Sequence, residues 1–281
     1  MQKSAKRIAV VYHGDCPDGF SGAWAAWKKF GNKAEYIAAF DRHNPPLGLE
    51  GKEVYLIDFT YSMPVMEVLC KNVRRLIAID HHISQAESVK VAHENSFALD
   101  HSGAVLAWHY FHPKKKTPKL LTYVEDYDIW NLKFKQTMSV RALMDALHYN
   151  FRVWDRLAKD MDNPKSAAKR VTEGNLVLAA ETKELNRLLG YAEEVFFEGM
   201  KVMAVNSPIL KDRLGNELHR KHPPLAIIWC RERNHNHISL RSDGSVDVSK
   251  IAAKYGGAGH KAAAGFCLGP GQPLPWRPSK K

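Results

Sequence analysis

Histidine and aspartate side chains follow three short apolar runs in the first half of the chain. The runs and their polar ends read "RIAVVYHGDCPD", "YLIDF" and "LIAIDHH". Their histidines and aspartates are seven residues whose side chains can bind metals: His13, Asp15, Asp18, Asp58, Asp80, His81 and His82. Imidazole nitrogens mixed with carboxylate oxygens suit divalent cations such as Mn²⁺. The runs therefore predict a metal site, provided that they are strands whose ends lie side by side.

Each of these groups also has a purely structural explanation. Asp58 could cap the helix that begins near Pro64, and the acids around Asp15 could belong to an ordinary polar loop. Neighbouring side chains of an extended segment point in opposite directions. His81 could therefore face a metal while His82 faces a substrate or transfers a proton.

The order of predicted elements places these residues on one edge of a sheet. Apolar runs predict strands over 7–13, 33–40, 53–59 and 75–80, and helical periodicity predicts helices over 19–31, 64–73, 102–112 and 118–130. Strands that alternate with helices indicate a parallel sheet covered by helices on both faces. Ligands bind such sheets at the carboxyl ends of the strands. The predicted fold class is therefore α/β with a parallel sheet in the first domain.

The second half predicts a smaller α/β domain. We expect a metal-binding domain over 1–150, a helical linker over 151–198, a substrate-binding domain over 199–270 and a flexible tail over 271–281. Strands are predicted over 200–206, 225–232 and 237–242, followed by a helix in 246–266 that glycines stop.

Two further segments carry groups that could bind a ligand. "YVEDYDIW" places Glu125, Asp126 and Asp128 on a helix, where most of them would be solvated or structural whatever the function. "GGAGHKAAAG" surrounds His260 with small residues, whose backbone N–H groups can receive phosphate oxygens. A glycine-rich turn without a ligand is the alternative for the second segment.

Composition limits the class of protein. The chain is 45% hydrophobic and 25% charged, as in a soluble globular protein, and "LAIIWC" at 225–230 is too short to cross a bilayer. The basic, then apolar N-terminus is interpreted as a strand and not as a signal peptide. Four scattered cysteines predict reduced thiols and a cytoplasmic protein. A formal net charge of +11 favours polyanionic partners, including nucleic acid.

The motifs and their order together resemble the DHH–DHHA1 phosphoesterase family. The order is HxDxxDG, an isolated strand-end Asp, DHH, a helical Asp and GGxGHxxAAG, from His13 to about Phe266. This family includes RecJ-type exonucleases, nanoRNases, pAp phosphatases and cyclic-dinucleotide phosphodiesterases. The chain departs from the family pattern in two places. Two residues separate Asp15 from Asp18, where one is usual, and Ala258 replaces a third glycine.

The resemblance implies two divalent cations, usually Mn²⁺, with Mg²⁺ and Co²⁺ as alternatives. The implied ligands of one cation are His13, Asp15 and Asp58, and those of the other are Asp18, Asp58, His81 and Asp126. His82 would contact the scissile phosphate, and Asp80 would orient the histidine pair. The implied substrate-binding residues are Arg241, Gly256, Gly257, Gly259 and His260.

By the same resemblance, the chain is expected to be a metal-dependent phosphoesterase that cleaves short oligonucleotides. Cyclic dinucleotides, pAp and polyphosphate remain alternative substrates, and a non-catalytic nucleotide sensor is the alternative of another class. No membrane partner is expected. Whether the chain forms a homodimer stays open.

Overall fold

The computed structural model describes residues 6–40, 44–232 and 234–279. The chain divides into two compact units, Met1–Leu178 and Ala179–Lys281. The predicted α/β class is confirmed, with a parallel sheet in the first unit and a second sheet in the other. The four cysteines are thiols, as expected. No helix in the described parts of the chain combines the length and the apolar character needed to span a membrane.

The sheet of the first unit has five strands, all parallel, in the order β2-β1-β3-β4-β5. The strands are β1 (Ile8–His13), β2 (Ala34–Ala39), β3 (Glu53–Ile57), β4 (Arg75–Asp80) and β5 (Glu94–Phe97). The central strands are almost continuously apolar because helices bury both faces of a parallel sheet. This arrangement brings the carboxyl ends of β1, β3 and β4 next to one another.

Seven helices accompany this sheet within the described part of the first unit. They are α1 (Pro17–Phe30), α2 (Met63–Asn72), α3 (Ala86–Val89), α4 (Gly103–Phe111), α5 (Lys119–Asp128), α6 (Thr137–Ala146) and α7 (Phe151–Asp162). An eighth helix, α8 (Pro164–Leu189), begins in the first unit and ends in the second. Val10 and Ile57 face the core that contains α1 and α4, whereas Val11 and Leu56 face the core that contains α2.

Helix α7 belongs to the first unit and is not part of a linker, contrary to the predicted boundary at residue 150. Trp154 is fully buried, and its indole N–H donates to the Ser21 hydroxyl of α1 at 2.9 Å. Phe151 stacks on Phe20 with ring centroids 4.9 Å apart. The aromatic residues at the start of the predicted linker therefore complete the core around α1.

The sheet of the second unit has seven strands in the order β10-β11-β9-β8-β7-β6-β12. The strands are β6 (Glu193–Phe197), β7 (Met200–Asn206), β8 (Leu225–Glu232), β9 (His235–Ser242), β10 (Ala258–Gly259), β11 (Ala263–Leu268) and β12 (Arg277–Pro278). β7 and β8 are parallel, and the other pairs are antiparallel. Helices α9 (Lys211–Lys221) and α10 (Val248–Lys254) contribute to the hydrophobic cores of this unit.

Three segments of the second unit differ from the prediction. Residues 193–197 form β6 and not the end of the long helix, and 263–268 form β11 after a helix that ends at Lys254. The predicted flexible tail is ordered over its described part. Leu274 and Trp276 pack against the core, and β12 pairs with β6. Residues 280–281 lie outside the described residues.

Candidate metal centre

The ends of three neighbouring strands place His13, Asp58 and Asp80 along one edge of the sheet. Tyr12 pairs with Ile57, and Ile57 pairs with Ile79, so the next residue of each strand lies in the same row. The Asp58 amide donates to the Ile79 carbonyl at 2.9 Å. The edge predicted from the sequence therefore exists, and it carries the predicted side chains.

Asp58 lies at the centre of this row, between two histidines. It is only 1% exposed. Its Oδ2 atom is 3.1 Å from His13 Nδ1, and its Oδ1 atom is 3.2 Å from His81 Nε2. Its backbone has φ = +65°, a left-handed conformation that costs energy for a residue other than glycine. Such strain is typical of functional sites, where the surrounding structure holds a residue in place.

Two more carboxylates converge on the same imidazole nitrogen. His81 Nε2 is 3.3 Å from Asp128 Oδ2 and 3.9 Å from Asp18 Oδ2. Each of these three residues offers one possible metal-ligand atom, and the three atoms lie within 4.8 Å of one another. One N–H group cannot donate to three carboxylates at once. The convergence of oxygens around one nitrogen is the arrangement expected of ligands around a cation.

Unpaired buried oxygens support the same interpretation. Asp18 Oδ2, Asp58 Oδ1 and Asp80 Oδ2 are buried without a hydrogen-bond partner among the residues that the structure describes. A buried, ionised oxygen without a partner costs several kcal/mol in order of magnitude, and a bound cation removes that cost. The residues present therefore fit divalent cations.

The charges of the cluster shift one another's protonation. Burial raises the pKa of Asp18 well above its usual value, and the nearby Asp128 and Asp58 raise it further. Burial also raises the pKa of Asp128, to about 6. Burial raises the pKa of Asp58, but its contacts with His13 and His81 outweigh that effect and bring the pKa well below its usual value. Burial would lower the pKa of His81, yet its contacts with Asp58, Asp128 and Asp18 raise it to about 10.

The starts of two helices position Asp18. It lies in the first turn of α1, and its Oδ1 atom accepts from the Ala104 amide at the start of α4 at 3.0 Å. Gly103 precedes that amide. A Cβ atom at Gly103 would lie 2.8 Å from Asp58 Cβ and 2.9 Å from Asp18 Oδ2. The absence of a side chain at this position therefore lets α4 approach both acids.

Asp80 organises the histidine pair that follows it. Its Oδ1 atom accepts from the amides of His81 and His82 at 2.7 and 3.2 Å, and it lies 2.7 Å from His82 Nδ1. The two imidazoles do not diverge, since their ring centroids lie 4.6 Å apart, with His81 facing the acids of the cluster and His82 held by Asp80. The opposite orientations expected of an extended segment are therefore wrong, because β4 ends at Asp80 and both rings lie at the same edge of the sheet.

Asp126, the acid predicted on α5, lies elsewhere, and Asp128 lies in the cluster instead. Asp126 Oδ1 accepts from the Lys133 amide at 2.9 Å, and Oδ2 accepts from the Phe134 amide at 3.2 Å and from the Thr137 hydroxyl. Asp126 thus fixes the loop that leads into α6. Residues two positions apart on a helix do not share a face, so only one of the two acids can reach the site.

The first motif also differs from the prediction. Asp15 is exposed with φ = +53° and belongs to none of the ligand groups found among the described residues. Cys16 lies within 4.8 Å of His13 and Asp58, measured between the atoms that could bind a metal. Burial and the surrounding carboxylates raise the pKa of its thiol well above the usual value. The sequence did hold a signal for Cys16 as a candidate ligand. A single residue separates Cys16 from Asp18, which is the spacing that the family motif favours for its two aspartates.

In the second unit, Arg241 lies on β9, where its guanidinium pairs with Asp212 of α9 and donates to the Leu240 carbonyl at 2.9 Å. The glycine segment forms the turn between α10 and β11. Gly256 and Gly259 have φ of +75° and +148°, and the His260 amide donates to the Ala263 carbonyl at 2.7 Å. A Cβ atom at Gly257 would lie 2.1 Å from the Gly265 carbonyl oxygen. Close packing of the backbone therefore accounts for small residues in this turn, whatever it binds.

Comparison with known proteins yields one relative and several solved folds. No family model matches the chain. An uncharacterized protein of Acanthamoeba polyphaga mimivirus is 29% identical over 283 residues, which cover 92% of this chain and 67% of that protein.

Solved structures resemble the chain over most of its length at low sequence identity. The DHH domain of a member of the s1p family of ribosomal proteins has a TM-score of 0.62 at 12% identity, covering 92% of this chain and 82% of that one. The exonuclease RecJ bound to manganese has a TM-score of 0.50 at 14% identity, covering 94% and 86%. The resemblance that the motifs indicated is confirmed at the level of the fold: the chain has the fold of the DHH-domain proteins, with Asp80, His81 and His82 at the end of its fourth strand.

Proposed function

We propose that the chain is a divalent-cation-dependent phosphoesterase that hydrolyses phosphodiester bonds of short oligonucleotides. One observation carries the proposal. Buried carboxylate oxygens without partners among the described residues converge with imidazole nitrogens at the carboxyl edge of the parallel sheet. This edge is where such folds bind ligands. A sheet that needed these acids only for packing would not bury so many charges together.

The residues support two cation sites that share Asp58. Asp18, His81 and Asp128 would hold one cation with Asp58, while His13 would hold the other from the opposite side of Asp58. The predicted ligand Asp126 is replaced here by Asp128. Bound in pairs, divalent cations activate a water molecule for attack and neutralise charge on the phosphate. The manganese in the RecJ structure of the same fold supports Mn²⁺ as one such cation.

The chain's own residues supply orientation and proton transfer. Asp80 holds His82 through Nδ1, so the imidazole has a fixed position and presents Nε2 as the nitrogen for the substrate. We assign His82 to contact the scissile phosphate and to donate a proton to the leaving oxygen. Asp80 is a positioning residue in this scheme, since it acts through the two histidines.

Several features support a nucleotide substrate. The formal net charge of +11 attracts polyanions. The guanidinium of Arg241 and the imidazole of His260 would bind a second phosphate of the substrate. The same fold occurs in the exonuclease RecJ. A short oligonucleotide offers both a scissile phosphate and a neighbouring phosphate to these groups.

The test is hydrolysis of a substrate panel by metal-free protein reloaded with Mn²⁺. The panel holds RNA and DNA of two to five nucleotides, pAp, cyclic dinucleotides and tripolyphosphate. We expect cleavage of the short oligonucleotides, lost in Asp58→Asn and His81→Gln and retained in Glu184→Gln, whose side chain is half-exposed on α8. Tight cation binding without hydrolysis of any compound would instead support a sensor. Hydrolysis of another compound in the panel would change the substrate and keep the reaction class.

A further inference from the structure

Cys16 occupies the turn between β1 and α1, next to the cluster of acids. It is the residue before the first turn of α1, with an extended backbone at φ = −132° and ψ = 125°, and its side chain is partly buried. Its sulfur, a ring nitrogen of His13 and a carboxylate oxygen of Asp58 all lie within 4.8 Å of one another. A cation placed among these three atoms would be in reach of each.

The backbone explains why the cysteine, and not the neighbouring aspartate, faces this group. Asp15 adopts a left-handed conformation at φ = +53°, and its side chain is exposed. Cys16 returns to an extended conformation, which directs its side chain to the other side of the turn. The left-handed residue therefore turns one potential ligand away and brings the next one in.

The burial of Asp58 indicates a ligand at this place. Asp58 is 1% exposed, and its Oδ2 atom, the oxygen on the side of His13, is 3.1 Å from His13 Nδ1. Its Oδ1 atom lies 3.2 Å from His81 Nε2 without a hydrogen bond to any of the described residues. A cation beside a carboxylate buried to this degree offsets the cost of burying its charge. The cysteine thus adjoins a buried anion that is itself only partly satisfied.

We infer that Cys16, and not Asp15, completes the cation site at His13 and Asp58, which gives this site one sulfur ligand. This inference rests on the proposed metal-dependent function and defines the chemistry of one of its two sites. When the sulfur–cation bond forms, the thiol proton passes to bulk water. Thiolates select softer ions than carboxylates do, so this site favours Zn²⁺ or Co²⁺ over Mg²⁺.

Cobalt titration of the full-length, metal-free protein tests this inference directly. A Co²⁺–thiolate bond produces a charge-transfer absorption in the near ultraviolet, which oxygen and nitrogen ligands do not produce. We expect this band to grow with Co²⁺ in the wild type and in Asp15→Asn. It should be absent in Cys16→Ser, and Co²⁺ affinity there should fall at least about tenfold, since even the loss of residues behind a ligand costs that much.

Matched variants make the result specific. Cys267→Ser removes an exposed thiol of the second unit and should keep the band. Cys16→Asp introduces a carboxylate and should bind Co²⁺ without the band, and circular dichroism checks that each variant is folded. A band that persists in Cys16→Ser, or a loss of affinity in Asp15→Asn as large as that in Cys16→Ser, would overturn the assignment.

Alkylation of the wild type gives a measurement that needs no variant. Iodoacetamide should modify Cys16 more slowly when Co²⁺ or Zn²⁺ is bound, whereas the rate at Cys267 should not change; peptide mass spectrometry measures both rates. Equal rates at Cys16 with and without the metal would refute the sulfur ligand. Neither readout depends on hydrolysis. A protein that shows the band but cleaves nothing would refute the proposed function alone. A protein that cleaves the substrates but shows no band would refute the sulfur ligand alone.

Discussion

At the scale of single residues, helical geometry decides which acid serves the site. Asp126 and Asp128 both lie near the end of α5, yet one binds the loop that follows and the other faces His81. The sequence contained both acids and could not distinguish them, because the choice depends on the rotation of α5 in the core. Asp15 and Cys16 differ for a similar reason, since the left-handed backbone at Asp15 has no clear signal in the sequence.

Substitution of the two α5 acids should separate binding from stability. In Asp128→Asn, a carboxylate beside His81 becomes neutral, and we expect Mn²⁺ affinity to fall at least about tenfold with little change in stability. In Asp126→Asn, the single oxygen of the new amide cannot accept all three hydrogen bonds that the carboxylate accepts from Lys133, Phe134 and Thr137. We expect a loss of about 1–3 kcal/mol in the free energy of unfolding.

Isothermal titration measures the first effect, and chemical denaturation of the metal-free protein measures the second. The two variants serve as controls for each other, since both remove one charge from the same helix. If Asp126→Asn lost the metal and Asp128→Asn retained it, the assignment of the ligand on α5 would be wrong.

At the scale of elements, the site depends on how closely α4 approaches the ends of β1 and β3. Gly103 and Asp18 are the contact points, and the buried aromatic pair Trp24 and Trp108, with centroids 5.5 Å apart, holds α1 against α4 behind them. The candidate metal centre is therefore built by the packing of two helix starts on strand ends, and not by one loop.

A methyl group at Gly103 should disturb the metal centre. In a helix, Gly→Ala normally adds about 1 kcal/mol of stability. Here the new Cβ atom would come within 3 Å of Asp18 and Asp58. We expect Gly103→Ala to weaken Mn²⁺ binding at least about tenfold, as measured by titration. Gly269→Ala is the control and should bind normally, because the nearest atom to its Cβ atom, its two chain neighbours aside, would be the Oε1 atom of the flexible Gln272 side chain at 3.4 Å.

Helix α4 also reaches α1 through a buried histidine, which should make stability depend on pH. His112 Nε2 donates to the Ala25 carbonyl at 3.0 Å. Burial lowers its pKa, although the Ala25 carbonyl acts in the opposite direction. A pKa that is lower in the folded than in the unfolded state gives stability that is full above about pH 6.5 and lost as the pH falls through the folded value.

We therefore expect the free energy of unfolding to fall less steeply below about pH 6.5 in His112→Asn than in the wild type. Urea denaturation at a series of pH values measures both slopes, and His222→Asn, at the end of α9, is the control. Parallel curves for the wild type and His112→Asn would show that His112 does not contribute this pH dependence.

Elements of the first unit were predicted more accurately than those of the second. Alternating strands and helices carry a strong periodic signal, and β4 was predicted over its observed range. In the first unit, β5 was not predicted. In the second unit, the strands that were not predicted include β6, whose sequence "EEVFF" continues a helical pattern, and β11, whose alanines favour a helix. Pairing with β7 and with β9 decides their conformation. Such pairing is a tertiary effect that overrides local propensity.

At the scale of the whole molecule, each unit has its own sheet and its own hydrophobic cores. The second unit incorporates the end of the chain, where Trp276 lies against Phe197 and Trp229 with centroids 6.1 and 6.2 Å away. The Ser279 amide donates to the Glu194 carbonyl at 3.0 Å. The prolines of this segment suggested a mobile tail, but the sequence does not show that a sheet edge is available to receive it.

Removal of the Trp276 side chain should loosen the edge of the second sheet without affecting the first. We expect Trp276→Ala to cost about 1–2 kcal/mol, because the side chain is only partly buried. Hydrogen exchange should then be faster in β6 and unchanged in β1 and β3. Ile209→Ala, which truncates a side chain that is 56% exposed, should leave exchange in β6 unaltered. Protection of β6 that survives in Trp276→Ala would contradict the packing role of the tail.

The left-handed backbone of Asp58 affects which substitutions the fold would accept at this position. Asp58 has an unfavourable φ, which costs stability whatever its carboxylate binds. Glycine there would relieve this cost and remove the carboxylate between the two histidines. A lineage that did not need this carboxylate would therefore tolerate glycine here.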